Sequence, residues 1–475
     1  LASSATLSGG TQSVLSGGTA LNAQIASGGD QIVNGGAIVS GANLLSGGTQ
    51  GLQSGASVTS TAVNTGATQA VGNAGLAISS ILSGGVQNIT SGGSATATII
   101  SSGGIENISS GGIASGATIN SSGTQTIYSA GIASGATISA SGIQNISGGG
   151  SAVATIVNSA GTENISSGGT ALSTTVNTSG IQYVSLGGLA SSATLSGGTQ
   201  TLSGTNAIAI STLISTGGSQ QILSGGIASA TVINSGGIEN ISSGGLASGA
   251  TINSSGTQNI YSAGIASGAT ISASGIQNIS NGGSAVATMI NSAGTENILS
   301  GGTAISTTVN TNGIQYVSLG GLASSATLSG GTQSISSGGS ALYTIISSGG
   351  DQIISGGAIV TSASLLSGGT QGLLSGASAT ATVVNTGAVQ TVGTSALAIS
   401  SILSAGTKQR KIMWIVKTKL KEWKHETLSG AMLFAKTVNE FVTITNGEME
   451  FVGMFGVDAV QDKKLPDGTD YTWTM

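Results

Sequence analysis

The chain is predicted to be all-β: a right-handed parallel β-helix (a solenoid) of about 22 coils of ~19 residues, followed by a small α+β C-terminal segment. Three observations predict it. Glycine turns recur at a fixed interval. The runs between them are short and rich in Ile, Val and Thr. A Gln or Glu returns at one place in nearly every unit.

The interval comes first. Turn glycines or their equivalents stand at 10, 29, 48, 66, 85, 104 and 123, and continue so to 387 and 406. The step is 19 residues with a few slips to 18 or 20. A second glycine turn often follows, as at Gly93, Gly112, Gly131, Gly150 and Gly169. Each unit therefore reads as two short strand segments with two glycine punctuations. Whole blocks are duplicated: Gly104–Gln200 matches Gly237–Gln333 at an offset of 133 residues, or seven units.

The runs come second. Segments such as Ser115-Gly116-Ala117-Thr118-Ile119 and Ala154-Thr155-Ile156-Val157 are too short for helices. Glycine weakens helices but supplies the positive φ of tight corners. A unit of this length buries no apolar face alone, so units must stack and share an interior. At a strand spacing of ~4.8 Å, the expected coils would reach roughly 100 Å.

The third observation is the column of amides. Gln87, Glu106, Gln125, Gln144, Glu163 and Gln182 follow the turn glycine by two places. In three units the Gln comes one place later, at Gln69, Gln390 and Gln409. Asn often follows, as at Asn107, Asn145 and Asn164, and then Ile or Val. The aliphatics are expected to form an inner stack. The amides are expected to form structural ladders in which each NH₂ donates to the next carbonyl. Which side of the wall the Gln column faces is left open. Glu106, Glu163, Glu239 and Glu296 each have Gln in the units before and after. A carboxylate there is expected to be satisfied by two amide donors.

Residues 407–475 differ in kind. All ten Lys and Arg, all three Trp, all four Phe, Pro466 and His425 lie there. Residues 408–426 read as a basic amphipathic helix with Ile412, Val416, Leu420 and Trp423 on one stripe. Phe441–Thr445, Asn446-Gly447 and Glu448–Val452 read as a hairpin. Lys463–Gly468 reads as another turn. The expected division is thus 1–406 as repeat and 407–475 as a cap on the open end or a tail of separate origin.

Composition excludes several functions. Residues 1–407 hold six acids and no base, so phosphate neutralisation, and with it nucleic-acid binding, is not expected. There is no cysteine, hence no disulfide framework or thiolate metal site. Glu106 and Glu163 are three coils apart, roughly 14 Å, too far for a paired-carboxylate mechanism. Asp occurs in only two units, Asp30 and Asp351, so calcium is not bound along the repeat. No catalytic, cofactor or metal residue is assigned. Less favoured alternatives are a degenerate carbohydrate-active β-helix enzyme and an ice-binding solenoid. The latter needs an unbroken Thr-x-Thr array, which is sporadic here, as at Thr96-Ala97-Thr98. The opening Leu1–Gly10 recurs at Leu189 and Leu322, so the chain is expected to be a fragment or processed piece. No apolar run reaches membrane-spanning length.

Units such as Ser102-Gly103-Gly104-Ile105-Glu106-Asn107-Ile108-Ser109-Ser110-Gly111-Gly112-Ile113-Ala114-Ser115-Gly116-Ala117-Thr118-Ile119-Asn120 resemble the strand-loop-strand repeats of AIDA-type autotransporter passengers, self-associating adhesins of Gram-negative bacteria. The resemblance covers residues 1–406. It implies a right-handed β-helix displayed extracellularly on the bacterial surface, with self-association into aggregates, biofilm formation and host adhesion. It implies as partners like chains, a host surface or glycan receptor, and a heptosyltransferase that modifies serines. No motif picks the glycan acceptor. The tail, ending Tyr471-Thr472-Trp473-Thr474-Met475, does not read as barrel strands, so the family's membrane barrel is expected either to be encoded beyond this sequence or to be lost from a degenerate copy.

Overall fold

A computed structural model describes residues 1–404 and six strands beyond them, at 414–417, 422–425, 441–445, 450–454, 461–464 and 470–473. Every regular element among these is a β-strand. The chain comprises two compact units, Leu1–Asn259 and Ile260–Met475.

One coil of the first unit shows the plan. Ile105–Ile108 forms a four-residue strand, Ile113–Ser115 a second and Thr118–Ile119 a third. There are thus three strands per coil where the glycine pattern alone indicates two. The third begins after the corner Gly116-Ala117. Here that corner has a glycine with positive φ, whereas one coil earlier Ala97 adopts the same left-handed conformation.

Each strand pairs in parallel with its counterpart in the next coil. Glu106 stands against Gln125 and Ile108 against Ile127. Ala114 stands against Ala133, and Ile119 against Ile138. The turns join the ladder as well: the Ser109 amide donates to the Ile89 carbonyl at 3.0 Å and the Ser110 amide to Ser129 at 2.7 Å. Backbone groups that a loop would leave to water are therefore satisfied by the neighbouring coil.

Three walls enclose a narrow interior. The four-residue strands alternate so that Glu106 and Ile108 point in and Ile105 and Asn107 point out. The second wall turns in Ala114 and the third Ile119, both buried. Small alanines on one wall leave room for the aliphatics of the other two. Burying one such Ile side chain contributes about 1.5–3 kcal/mol.

The slips in coil length are absorbed at turns. The 18-residue steps coincide with shortened turns at Gly84-Gly85, Gly197-Gly198 and Gly330-Gly331. The 20-residue step carries its extra residue within Gly204–Asn206. Gln69 and Gln390 keep register with the column, opposite Gln50 and Gln371. Their apparent displacement arises because Ala67 and Ala388 replace the second turn glycine.

The second unit repeats this plan. Ile276–Ile279, Ser284–Val286 and Met289–Ile290 stack on the next coil, with Gln277 against Glu296, Ala285 against Ala304 and Ile290 against Val309. Its last coil ends at Ile402–Leu403. The coils of the two units number about 21 of ~19 residues. The expected Gln409 rung lies outside the described residues.

The helix expected over 408–426 is overturned. Trp414–Lys417 and Glu422–His425 are strands, paired antiparallel with Val416 opposite Trp423. Aromatic and β-branched residues in succession (Trp414-Ile415-Val416) favour extended backbone over helix, and a four-residue stripe did not outweigh that. Ile412 and Leu420 lie outside the described residues. A hairpin is present but in a different register: Phe441–Thr445 pairs with Glu450–Met454, so Thr445 stands opposite Glu450 and not opposite Glu448 as a two-residue Asn446-Gly447 turn would require. Gln461–Lys464 pairs with Asp470–Trp473 on either side of the expected turn.

Turn glycines divide into two kinds. A Cβ on Gly112 would fall on the Ile89 carbonyl oxygen of the coil before, whereas one on Gly116 would meet nothing within 4 Å. Gly112→Ala should therefore cost about 2–3 kcal/mol, within the range of an overpacked site. Gly116→Ala should cost about 1 kcal/mol, since only its left-handed φ resists the change. Denaturant midpoints of the two variants check this; equal losses would contradict the close coil-to-coil approach at Gly112.

Candidate functional site

The most distinctive chemistry of the coils is a column of amides inside them. Gln87, Glu106, Gln125, Gln144, Glu163 and Gln182 all point inward and are fully buried. Alternation explains why: each lies two residues before a buried aliphatic and shares its face.

A buried amide needs partners, and the coil period supplies them. Gln125 Nε2 donates to Glu106 Oε2 at 2.5 Å, Gln144 Nε2 to Gln125 Oε1 at 2.6 Å, and Gln182 Nε2 to Glu163 Oε2 at 2.6 Å. Gln50, Gln69 and Gln87 continue the same pattern at 2.6, 2.7 and 2.5 Å. In the second unit Gln315, Gln333, Gln352 and Gln371 donate at 2.6, 2.5, 2.6 and 2.6 Å. In all these bonds the NH₂ points to the coil before. Polarity is uniform, so the amide dipoles align and reinforce one another.

A second column supports the first. Thr98, Thr155 and Thr174 sit buried at the corner, eleven residues after a ladder residue. Their hydroxyls donate to Gln87 at 3.3 Å, Gln144 at 3.1 Å and Glu163 at 3.0 Å. The corner holds Ala117 or Ala250 in other coils, and these follow Glu106 and Glu239. Glu106 Oε1 and Glu239 Oε1 are then left without a hydrogen-bond partner. Sequence reading missed this column, although a Thr or Ala recurring eleven places after the Gln was visible.

The expectation that each ladder glutamate sits between two amide donors is corrected. Glu106 receives Gln125, but Gln87 Nε2 is already directed to Gln69. Likewise Gln144 Nε2 is directed to Gln125, away from Glu163. One-way polarity gives each carboxyl one amide donor. Burial pushes the Glu106, Glu163 and Glu239 carboxyls above the ordinary carboxylate range, against a smaller lowering by the Gln donors and by nearby Thr hydroxyls, which for Glu106 and Glu239 are Thr98 and Thr231 of the coil before. For Glu296 the same burial raises it to about 7.

The asparagines face outward. Asn107 donates to Asn88 at 2.9 Å and Asn164 to Asn145 at 2.8 Å, both half-buried. Thr126 and Tyr183 occupy the same column in intervening coils, so these rungs form pairs rather than a continuous ladder. Further pairs lie elsewhere on the coil, Asn177 to Asn158 and Asn310 to Asn291, each at 2.8 Å. The outer faces otherwise present Thr, Ser and scattered aliphatics, Ile113 and Ile132 being about two-fifths exposed at 43% and 41%. Among the described residues no three His, Asp or Glu side chains come together.

The fold and its interior define a repeat protein of the parallel β-solenoid class. No protein-family model matches the chain, and no curated protein matches it. Six solved chains do match. One is the crystal structure of a TibC-catalyzed hyper-glycosylated TibA55-350 fragment, 33% identical, covering 70% of this chain and 97% of that chain, with a TM-score of 0.41.

The ladder generates a direct test. Gln125→Leu removes the donor to Glu106 and the acceptor of Gln144. Each stranded buried group costs about 1–3 kcal/mol, so the variant should lose at least ~2 kcal/mol in denaturant unfolding. A loss near zero would mean that the buried amides are not held by one another.

Proposed function

We propose that this chain is the shaft of a bacterial cell-surface adhesin, a passenger of the AIDA type, that works by presenting surface. The observation that carries this reading is the outer face of the coils. It is long, repetitive and uncharged apart from Asp30 and Asp351, and it bears Ser, Thr, Asn and exposed aliphatics at recurring places. The resemblance of the repeat points the same way.

The mechanism is additive. No position on a wall offers a concentrated site, but each coil offers the same weak polar and apolar contacts as the last. Two such walls side by side gain by multivalency, because the second contact is made at high effective concentration. The absence of Lys and Arg from 1–407 removes like-charge repulsion between bases as a barrier to close approach. Self-association of cells, growth as biofilm and attachment to a host surface or glycan all follow from this one property. Exposed turn serines such as Ser110, Ser129 and Ser167 are accessible acceptors for a heptosyltransferase. Residues 407–475 fit a cover over the last coil, which would otherwise expose unpaired strand edges.

Display of the chain on otherwise dispersed cells tests the reading. Cells carrying it should settle from standing culture, and the exported protein should gain mass in hexose-like or heptose-like steps when a transferase is co-expressed. Ile38→Lys with Ile113→Lys, four coils apart on one wall, puts two separated charges there and should weaken settling at low salt while changing stability by only about 0.5 kcal/mol each. Cells that stay dispersed at every density would overturn the proposal.

A further inference from the structure

A glutamate in a one-way amide ladder poses a specific problem. Each rung must accept a hydrogen bond from the coil after and give one to the coil before. Glutamine does both through Oε1 and Nε2. A carboxylate only accepts.

At Glu106 the accepting half is in place, from Gln125. The giving half is not. Gln87 stands in register before Glu106 and points Nε2 back at Gln69, so the end of its amide turned toward Glu106 is the carbonyl oxygen. Glu106 Oε1 has no partner. The same arrangement holds at Glu239, where Gln258 donates at 2.5 Å, Gln220 Nε2 is committed to Gln200, and Oε1 again stands alone. At Glu163, Gln182 and the Thr174 hydroxyl donate to the carboxyl, while Gln144 Nε2 points to Gln125, so the coil before again offers no amide donor. Glu296 is the counterpart of Glu163 in the duplicated block and accepts from Gln315 and from the Thr307 hydroxyl. Two acceptor oxygens facing each other in a dry interior repel, while a proton between them makes a hydrogen bond.

We propose that the four ladder glutamates fold as neutral carboxylic acids, each O–H donating to the glutamine carbonyl one coil earlier, so that coil formation takes up protons. The acid then mimics an amide rung in shape and in polarity. Burial acts in the same direction, raising all four carboxyls.

Nothing charged opposes this. For Glu106, the strand before is Val86–Ile89, the strand after is Thr124–Ile127, and the corners bring Thr98 and Ala117. None holds a titratable group. The other two walls turn in Ala and Ile, Val or Leu. Residues 1–407 contain no Lys, Arg or His, and Asp30, Asp351 and the tyrosines occupy outward positions. Within the first unit the next ladder acid is three coils away.

The pH dependence has a definite sign. An unfolded glutamate ionises near 4.5, and the folded one at a higher pH, about 7 for Glu296. Below 4.5 both states hold the proton and the coils keep their full stability. As pH rises from there, the unfolded state releases protons that the coils still hold, and stability falls until the folded value is passed.

The experiment compares the full chain with E106Q/E163Q/E239Q/E296Q, whose glutamines are the residues the other rungs already carry. Denaturant midpoints are taken from pH 4.5 to 8.5, proton uptake on refolding is measured at pH 6, and infrared spectra of the folded proteins are recorded at pH 6. The wild-type midpoint should drop relative to the variant with rising pH, and the variant should outlast it at pH 8. Wild type should take up more protons and show a buried carboxylic acid carbonyl band that the variant lacks. Parallel midpoint curves with equal proton uptake would overturn the proposal. So would a wild-type spectrum without the acid band, which needs no variant at all.

Discussion

Everything in this molecule depends on backbone hydrogen bonds between strands of successive coils, whose residues stand in register 19 apart. No single coil holds itself together. Its strands are two to five residues long and pair with their counterparts in the coils before and after. When Ile105–Ile108 lies beside Thr124–Ile127, four residues find partners at once, and the same step repeats on the other two walls. A parallel arrangement is obligatory, because a chain that always advances in one direction presents each strand to its successor pointing the same way. The glycine turns serve that spacing. A side chain on Gly112 would push the coils apart at the carbonyl of Ile89.

Stacking of aliphatics forbids a slip of one residue but not a slip of two, which would keep each aliphatic side chain inside. The interior amides supply what the aliphatics lack. Gln144 finds its acceptor only where Gln125 lies directly beneath it. A slip of two residues would bury the amide against the aliphatic column. The cost of burying polar groups is thus converted into a demand for one alignment. Coils of 18 and 20 residues keep that alignment because their length changes sit in turns, as at Gly197-Gly198 and Gly204–Asn206.

Much of this was legible in the residues. The spacing of turn glycines defines the coil, and the Gln followed two places later by Ile or Val defines one wall. The inward direction of the amides was legible too, since Glu106 and Ile108 are two apart and a strand puts such residues on one face. It was left open because amides also ladder well on wet surfaces. The third strand was hidden because its corner carries Ala97, Ala154 or Gly116 and so has no constant glycine. The 408–426 segment misled because basic residues between Val416 and Trp423 fit a helical stripe, while the same two residues fit equally well as cross-strand partners. Ladder polarity was not legible at all. A list of glutamines does not say which way an NH₂ points, and that direction decides what a glutamate in the column must do.

The central claim is that consecutive units lie one above another at a constant step. The chain contains no cysteine, so spin labels can be placed in pairs on outward positions of one wall. Asn88 and Asn164 are four coils apart, and Asn88 and Thr201 six. At ~4.8 Å per coil the backbone separations should be about 19 Å and about 29 Å, rising linearly with coil number. Narrow distance distributions on that line are the expected result. Broad distributions, or separations that do not grow by one step per coil, would contradict it.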